Sequence, residues 1–318
     1  MLTFTAALEE ALAEEMRLDP RVFCLGTVPP AALVQEFGAK RVLKTPISET
    51  AITGMAIGAA GCGLRPVVLW GNVTFSFVAF DQVVNQAAKI RYMFGGQRDF
   101  PIVIRALYGG GLQLAAQHSQ SPYSIFAHIA GLKVILPSGP ADAKGLLKAA
   151  IRDNNPVLCF EGVRLADRQE DVPADHLVPL GSAAVKRAGS DVTVVAFGYM
   201  VQLALDAAVE LERAGVSVEV VDPRSLVPLD RDTIRSSVRK TGRLVVVDEA
   251  PAMCSMASEI AAVVTEDDAT FAALRAPIRR VNGAATPVPY SPPLEQAVLP
   301  SLTGVITAIR EVVRVDAR

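Results

Sequence analysis

From Ala51 to Ala60 every residue is Ala, Ile, Thr, Gly or Met, and this uncharged run constrains the chain more than any other stretch. A helix with no polar face is expected to be buried all round. Gly54 and Gly58 would leave a flat strip on it where another backbone can approach. The approach is Thr45-Pro46-Ile47-Ser48-Glu49. Pro46 biases Thr45 towards an extended conformation, and Ser48 suits the N-cap position. Glu49 therefore stands at the mouth of a buried helix. Burial penalises its charged form and the helix N-terminus favours it, an opposition by which catalytic acids are tuned. Acidic residues also favour first helical turns for electrostatic reasons alone. Both readings stay open at this level.

The rest of the chain alternates short Val/Ile-rich runs with helical patterns. Runs at 21–25, 66–70, 101–105, 133–136 and 157–160 read as strands, and 6–16, 31–37, 80–93, 124–130 and 141–152 as helices. Residues 162–181 are charged, contain proline and lack periodicity, which reads as a linker. Beyond it, strands at 191–197, 216–221, 243–247 and 278–281 alternate with helices at 200–214, 230–240, 255–265 and 302–313. The pattern predicts an α/β protein of two domains, 1–185 and 186–318, each with a mainly parallel sheet flanked by helices.

A length of 318 residues suits two domains, and 51% hydrophobic with 20% charged residues suits a well-filled core. A net charge of −2 argues against nucleic acid or an anionic membrane as partner. Cys24, Cys62, Cys159 and Cys254 form no C-x-x-C pair, so buried free thiols in a reducing compartment are expected. The start of the chain reads as an acidic amphipathic helix rather than a signal peptide, and no apolar run reaches the ~20 residues of a membrane span. A cytoplasmic location is the expectation.

Phosphate-binding loops of the GxGxxG and GxxxxGK[ST] types are absent, as is a GxSxG nucleophile elbow. The run Gly109-Gly110-Gly111 reads as a flexible turn. His118, just beyond it, follows a strand at the side where open α/β sheets place ligands. His128 and His176 read as ordinary helix and linker histidines. The residues by themselves reach one suspicious carboxylate and one suspicious histidine, and no reaction.

Further stretches are Ala79-Phe80-Asp81-Gln82, Asn85 to Lys89, Gly95-Gly96-Gln97, His118-Ser119-Gln120-Ser121 and Gly131-Leu132-Lys133-Val134. Asp142 to Leu146, Ala150 to Pro156, Gly189 to Thr193, Val221 to Leu226 and Pro287 to Glu295 complete the set. With Thr45 to Glu49, they make the chain resemble, nearly end to end, one family. It is the β subunit of the thiamine-diphosphate-dependent decarboxylase component of 2-oxoacid dehydrogenases (pyruvate, branched-chain and acetoin types), within the transketolase-like superfamily.

The resemblance implies a transketolase-like pyrimidine-binding domain followed by a transketolase C-terminal domain. It implies that Glu49 hydrogen-bonds the aminopyrimidine ring nitrogen of thiamine diphosphate, so that the imino group can take the thiazolium proton. Phe75 would pack on the pyrimidine face, with Ile47, Gly71 and Val78 also at the cofactor. His118 would stabilise or shuttle protons during decarboxylation or acyl transfer. Backbone carbonyls of Ile102, Ala150, Ile151, Asp153 and Asn155 would form a potassium site. The Gly-Asp-Gly…Asn motif for diphosphate and Mg2+ is missing, and in this family it lies on the α subunit. Activity is then expected only in a heterotetramer of two α and two β chains, with a lipoyl or acyl-carrier domain as acceptor. Three departures mark the pocket wall: Thr27 to Pro30 replaces a longer acidic loop, and Leu69 and Val78 replace polar residues. Alternatives are a split transketolase-like enzyme moving a two-carbon ketol unit from a ketose phosphate, or a catalytically silent structural β chain.

Overall fold

The computed structural model describes residues 1–314. Its contacts cluster into two units, residues 1–108 with 125–180, and residues 109–124 with 181–318. The first carries six parallel strands in the order Val42–Lys44, Val22–Gly26, Arg65–Asn72, Val103–Tyr108, Val157–Gly162 and Lys133–Ile135. Ile104 sits mid-sheet, opposite Val68 on one side and Leu158 on the other, and all three are buried. Strands covered on both faces read as continuous apolar runs, which is why they were visible in the sequence.

In the second unit the order is Arg279–Gly283, Leu244–Pro251, Val192–Ala196, Val218–Asp222 and Ala184–Arg187, with only the last strand antiparallel. The helix Tyr199–Glu212 packs Met200, Val201, Ala204, Ala208 and Leu211 into its core. The α/β class and parallel sheets expected from the sequence are thus present. Among the described residues no helix is long and apolar enough to cross a membrane.

Several local expectations are corrected. The segment 80–93 is not one α-helix: Gln82–Ala87 winds as a π-helix and Ile90–Met93 is a separate short turn of α-helix. Here the backbone of Gly131 closes on Ala88, to the point that a Cβ would lie 2.0 Å from the Ala88 carbonyl oxygen, and Lys89 donates to the Ala130 carbonyl. A widened turn is the usual answer where something must fit against a helix backbone. The presumed linker is structured in part, because Gln169–Glu170 pairs with Leu2–Thr3 and Val178 packs on Gly145. Cys24 and Cys159 are buried, but Cys62 and Cys254 are exposed. Burial pushes the Cys24 thiol up to about 11 and Cys159 well above its ordinary range, so neither is a ready nucleophile.

The acidic first helix, Phe4–Leu18, commits Glu10, Glu14 and Glu15 to basic partners. It meets Pro140–Arg152, whose Lys144 binds Glu10 and Glu14, whose Lys148 binds Glu14, and whose Arg152 forks onto Glu15. Matching four-residue spacings bring these charges into a ladder. Burial pushes the Glu14 carboxyl up, yet its bonds to Lys144 and Lys148 outweigh that and hold it below its ordinary 4.5. The unfolded chain then binds the proton more readily, so this contribution is present above pH ~4.5 and is lost as pH falls through the lowered value. The melting-temperature gap between wild type and Glu14→Gln is expected to be widest above pH ~5 and to close towards pH ~3. A gap that stayed constant over that range would refute the assignment.

Candidate active site

The Glu49–Gly61 helix starts after the strand Val42–Lys44 and a short loop. Ser48 occupies the N-cap position but makes no side-chain capping bond, leaving the free amides of the first turn uncovered by it. The helix buries Glu49, Ile52, Thr53, Ala56, Ile57 and Ala60. It is not buried all round: Ala51, Met55 and Gly58 are exposed, and Met55 keeps 45% of its surface. A Cβ at Gly54 would come within 3.3 Å of Gln82 Oε1, whereas nothing lies within 4 Å of one at Gly58. One face of the helix lies against its own unit, and the other, equally apolar, is left uncovered by the described residues.

Glu49 is 5% exposed, and its carboxylate has no hydrogen-bond or ion-pair partner among the described residues. Burying a carboxylate without a partner is expensive, and native folds avoid it unless the group has other work. The neighbouring wall is the segment that follows the strand Arg65–Asn72. Trp70 donates its indole N–H to Thr53 (3.1 Å), and Thr50 donates to the Val78 carbonyl (2.8 Å). These two bonds tie the first turns of the helix to both ends of residues 70–78. Within that segment Gly71 turns at φ +72, a left-handed conformation that costs glycine least. Asn72 then caps a 3-10 turn by accepting from Thr74 N (3.0 Å). Phe75 is half-buried on this turn, Val78 is 66% exposed and Ile47 80% exposed. Ser76 is buried with its hydroxyl unpaired, a polar atom that the sequence reading missed.

His118 belongs to the other unit, at the end of the short helix Ala115–His118. It is half-buried, and the next residue, Ser119, is buried with an unpaired hydroxyl. Its loop takes unusual backbone angles, with Gln113 at φ 54 and Ala115 at φ 59. Acidic residues from distant parts of the same unit hold that loop. Glu249 accepts from Gly110 N (2.7 Å) and Ser121 Oγ (3.3 Å). Glu295 accepts from Gly111 N (2.8 Å), Gln113 N (3.2 Å) and Gln113 Nε2 (3.0 Å). Asp248 accepts from Tyr123 OH, Ala250 N (3.0 Å) and Ala257 N (3.1 Å), and burial pushes its carboxyl up to about 6. Sequence reading missed all three; the only signal was that such acids sit at the end of an apolar strand and inside a proline-rich segment.

The carbonyl-rich turn 150–155 lies in the first unit. Arg65 donates to the Ile151 (2.9 Å) and Asp153 (3.0 Å) carbonyls and to Asn154 Oδ1 (2.7 Å). Ile102 O accepts from Val157 N (2.8 Å) and Ala150 O from Asp153 N (3.2 Å). The Asp153 carboxylate is committed to Lys133 and Asn155. Burial raises that carboxyl, but Lys133 and Asn155 outweigh it and hold it low.

Residues 1–167 match the transketolase pyrimidine-binding domain, and residues 181–305 match the transketolase C-terminal domain. The chain belongs to the transketolase-like family. Among its relatives is the acetoin:2,6-dichlorophenolindophenol oxidoreductase subunit beta of Bacillus subtilis. The two are 50% identical over 280 residues, covering 88% of this chain and 81% of the relative. The Cupriavidus necator protein of the same description is 45% identical over 332 residues, 98% of each. The pyruvate dehydrogenase E1 component subunit beta of Rhizobium meliloti is 44% identical, covering 98% of this chain and 70% of that one. A solved structure described as a split gene transketolase, inactive beta4 tetramer, superposes with a TM-score of 0.81 over 97% of both chains at 24% identity, which shows a common transketolase-like fold.

Proposed function

We propose that this chain is the β subunit of a thiamine-diphosphate-dependent 2-oxoacid dehydrogenase decarboxylase component, acting on a pyruvate-like substrate and passing an acyl unit to a lipoyl or similar carrier. The observation that carries the proposal is the buried, unpartnered Glu49 carboxylate opening an apolar helix in a pyrimidine-binding domain. Relatives at 42–50% identity, named as beta subunits of acetoin:2,6-dichlorophenolindophenol oxidoreductase, the pyruvate dehydrogenase E1 component and 2-oxoisovalerate dehydrogenase, support it.

The residues fit the pyrimidine half of the cofactor. Glu49 offers a largely buried acceptor that can take or share a ring-nitrogen proton, and Phe75 offers an aromatic surface for the ring face. Ile47, Gly71 and Val78 line the same assigned wall. Once bound, the cofactor supplies the electron sink that a 2-oxo acid needs to lose carbon dioxide. His118 holds or moves a proton at the substrate-derived oxygen during decarboxylation or acyl transfer. The Gly-Asp-Gly…Asn motif for diphosphate and magnesium is missing from the sequence, and the reading gives that half of the site to an α subunit in an α2β2 assembly. The uncovered apolar surface at Met55, Tyr92, Met93 and Phe94 supports such a partner. A structural potassium ion at the carbonyls of Ile102, Ala150, Ile151, Asp153 and Asn155 would have to share two of them with Arg65 through their second lone pairs. The assembly is assigned to the cytoplasm.

Two measurements test the reading. Titration calorimetry of the isolated chain with thiamine diphosphate and Mg2+ is expected to show weak binding or none, and the reconstituted αβ pair is expected to bind. The pair should then release carbon dioxide from a 2-oxo acid. Tight binding by the chain alone, or glycolaldehyde transfer from a ketose phosphate in place of decarboxylation, would overturn it.

A further inference from the structure

We propose that Glu295 and Glu249 are positioning residues that hold the His118 loop in its working conformation. The inference rests on the role given to His118 above, but the clamp itself is independent of that role. Residues 109–124 carry two non-glycine residues, Gln113 and Ala115, at positive φ. Backbone of this kind is strained and persists only where surroundings over-determine it. Here the surroundings are specific. Glu295, wholly buried on the helix Pro292–Val298, takes three bonds from Gly111 and Gln113, and so grips the loop at the strained residue itself. Glu249, 6% exposed, takes Gly110 N and Ser121 Oγ and so grips the loop on both sides of His118.

Other features close the loop base. Gly109 N donates to Gln120 O (3.0 Å), and Tyr123 donates to Asp248. A Cβ at Gly109 would lie 2.6 Å from Glu249 Oε1, so that carboxylate is pressed directly against the turn. Two buried carboxylates spent on backbone amides of one short loop are more than a surface loop needs. Charge-assisted bonds to backbone N–H groups are among the stronger ones available, and they fix geometry in addition to stability. The element fixed is the one that carries His118 and the orphaned hydroxyl of Ser119. Bonds of this kind would hold His118 to the small displacements that positioned chemistry tolerates.

The test uses the reconstituted αβ enzyme with thiamine diphosphate. Glu295→Ala is expected to slow acyl transfer by about 10- to 100-fold, the scale of an ångström-sized misplacement, with KM for the 2-oxo acid unchanged. Proton exchange at the thiazolium carbon of the bound cofactor, which depends on Glu49, should stay at the wild-type rate. Glu295→Gln keeps one acceptor oxygen and should recover most of the transfer rate, and it covers the case in which the alanine variant folds poorly. Amide exchange at Gly111 and Gln113 should accelerate in both variants, more in Glu295→Ala. In a double-mutant cycle, His118→Ala with Glu295→Ala should be no slower than His118→Ala alone. Multiplicative losses in that cycle, or wild-type transfer in Glu295→Ala, would overturn the clamp's role while leaving the proposed function standing. Wild-type transfer in His118→Ala would instead overturn the site reading, and the positioning role with it.

Discussion

Glu49→Gln is expected to reduce turnover of the reconstituted αβ enzyme by about 100- to 10,000-fold, the range for removing a positioned general acid–base group. The substitution preserves size and hydrogen-bonding reach but would be unable to play the proposed part of holding a ring-nitrogen proton. Stability should move the other way. The residue is 5% exposed and its carboxylate has no partner among the described residues, and a neutral amide is cheaper to hold there than a charge. The melting temperature of the variant should therefore equal or exceed that of the wild type, the usual sign of a site that trades stability for function. Carbon dioxide release and a thermal melt on the same preparation decide the matter. Near-wild-type turnover would return Glu49 to a first-turn acid of no chemical consequence.

Arg105→Met is expected to destabilise the first unit by about 3–5 kcal/mol, the scale for stripping one partner from a buried ion pair. Arg105 stands mid-sheet opposite Leu69 and Cys159, and its guanidinium forks onto Glu161 on the adjacent strand. Both side chains keep under a tenth of their surface. Removing the cation leaves Glu161 charged, dry and unanswered. Replacing both residues, Arg105→Met with Glu161→Leu, should recover most of the loss, because the charge penalty disappears with its cause. Trp70 is the only tryptophan, is 2% exposed and lies on a neighbouring strand of the same sheet, so its fluorescence reports this unit during urea unfolding. A double variant no more stable than Arg105→Met would refute the account.

Much of the architecture was legible because buried parallel strands are written as unbroken apolar runs, as at Val67-Val68 and Val157-Leu158-Cys159-Phe160. The failures have equally local causes. The 80–93 segment keeps a helical apolar pattern, but the backbone of Gly131, from a distant stretch of sequence, closes on its Ala88, and no local period announces such a contact. The antiparallel edge strand Ala184–Arg187 is short and only half-covered, so its composition carries no alternation to read. The Glu49 helix was expected to be enclosed from its composition. Composition says that every face is apolar, not which chain covers each face, and Ala51, Met55 and Gly58 are left open.

By itself, then, the sequence determined two α/β domains and the position of Glu49 ahead of an uncharged helix, because both follow from periodicity and composition over short windows. Through its motifs it also determined the family. Tertiary structure alone decided that Glu49 is buried with no partner for its carboxylate among the described residues. It alone decided that Arg65 takes the Ile151 and Asp153 carbonyls, and that the His118 loop is gripped by Glu249 and Glu295, which lie 139 and 184 residues from Gly110 and Gly111. Contacts at such separations leave no period in the sequence; they exist only once the strands and helices that carry them have packed.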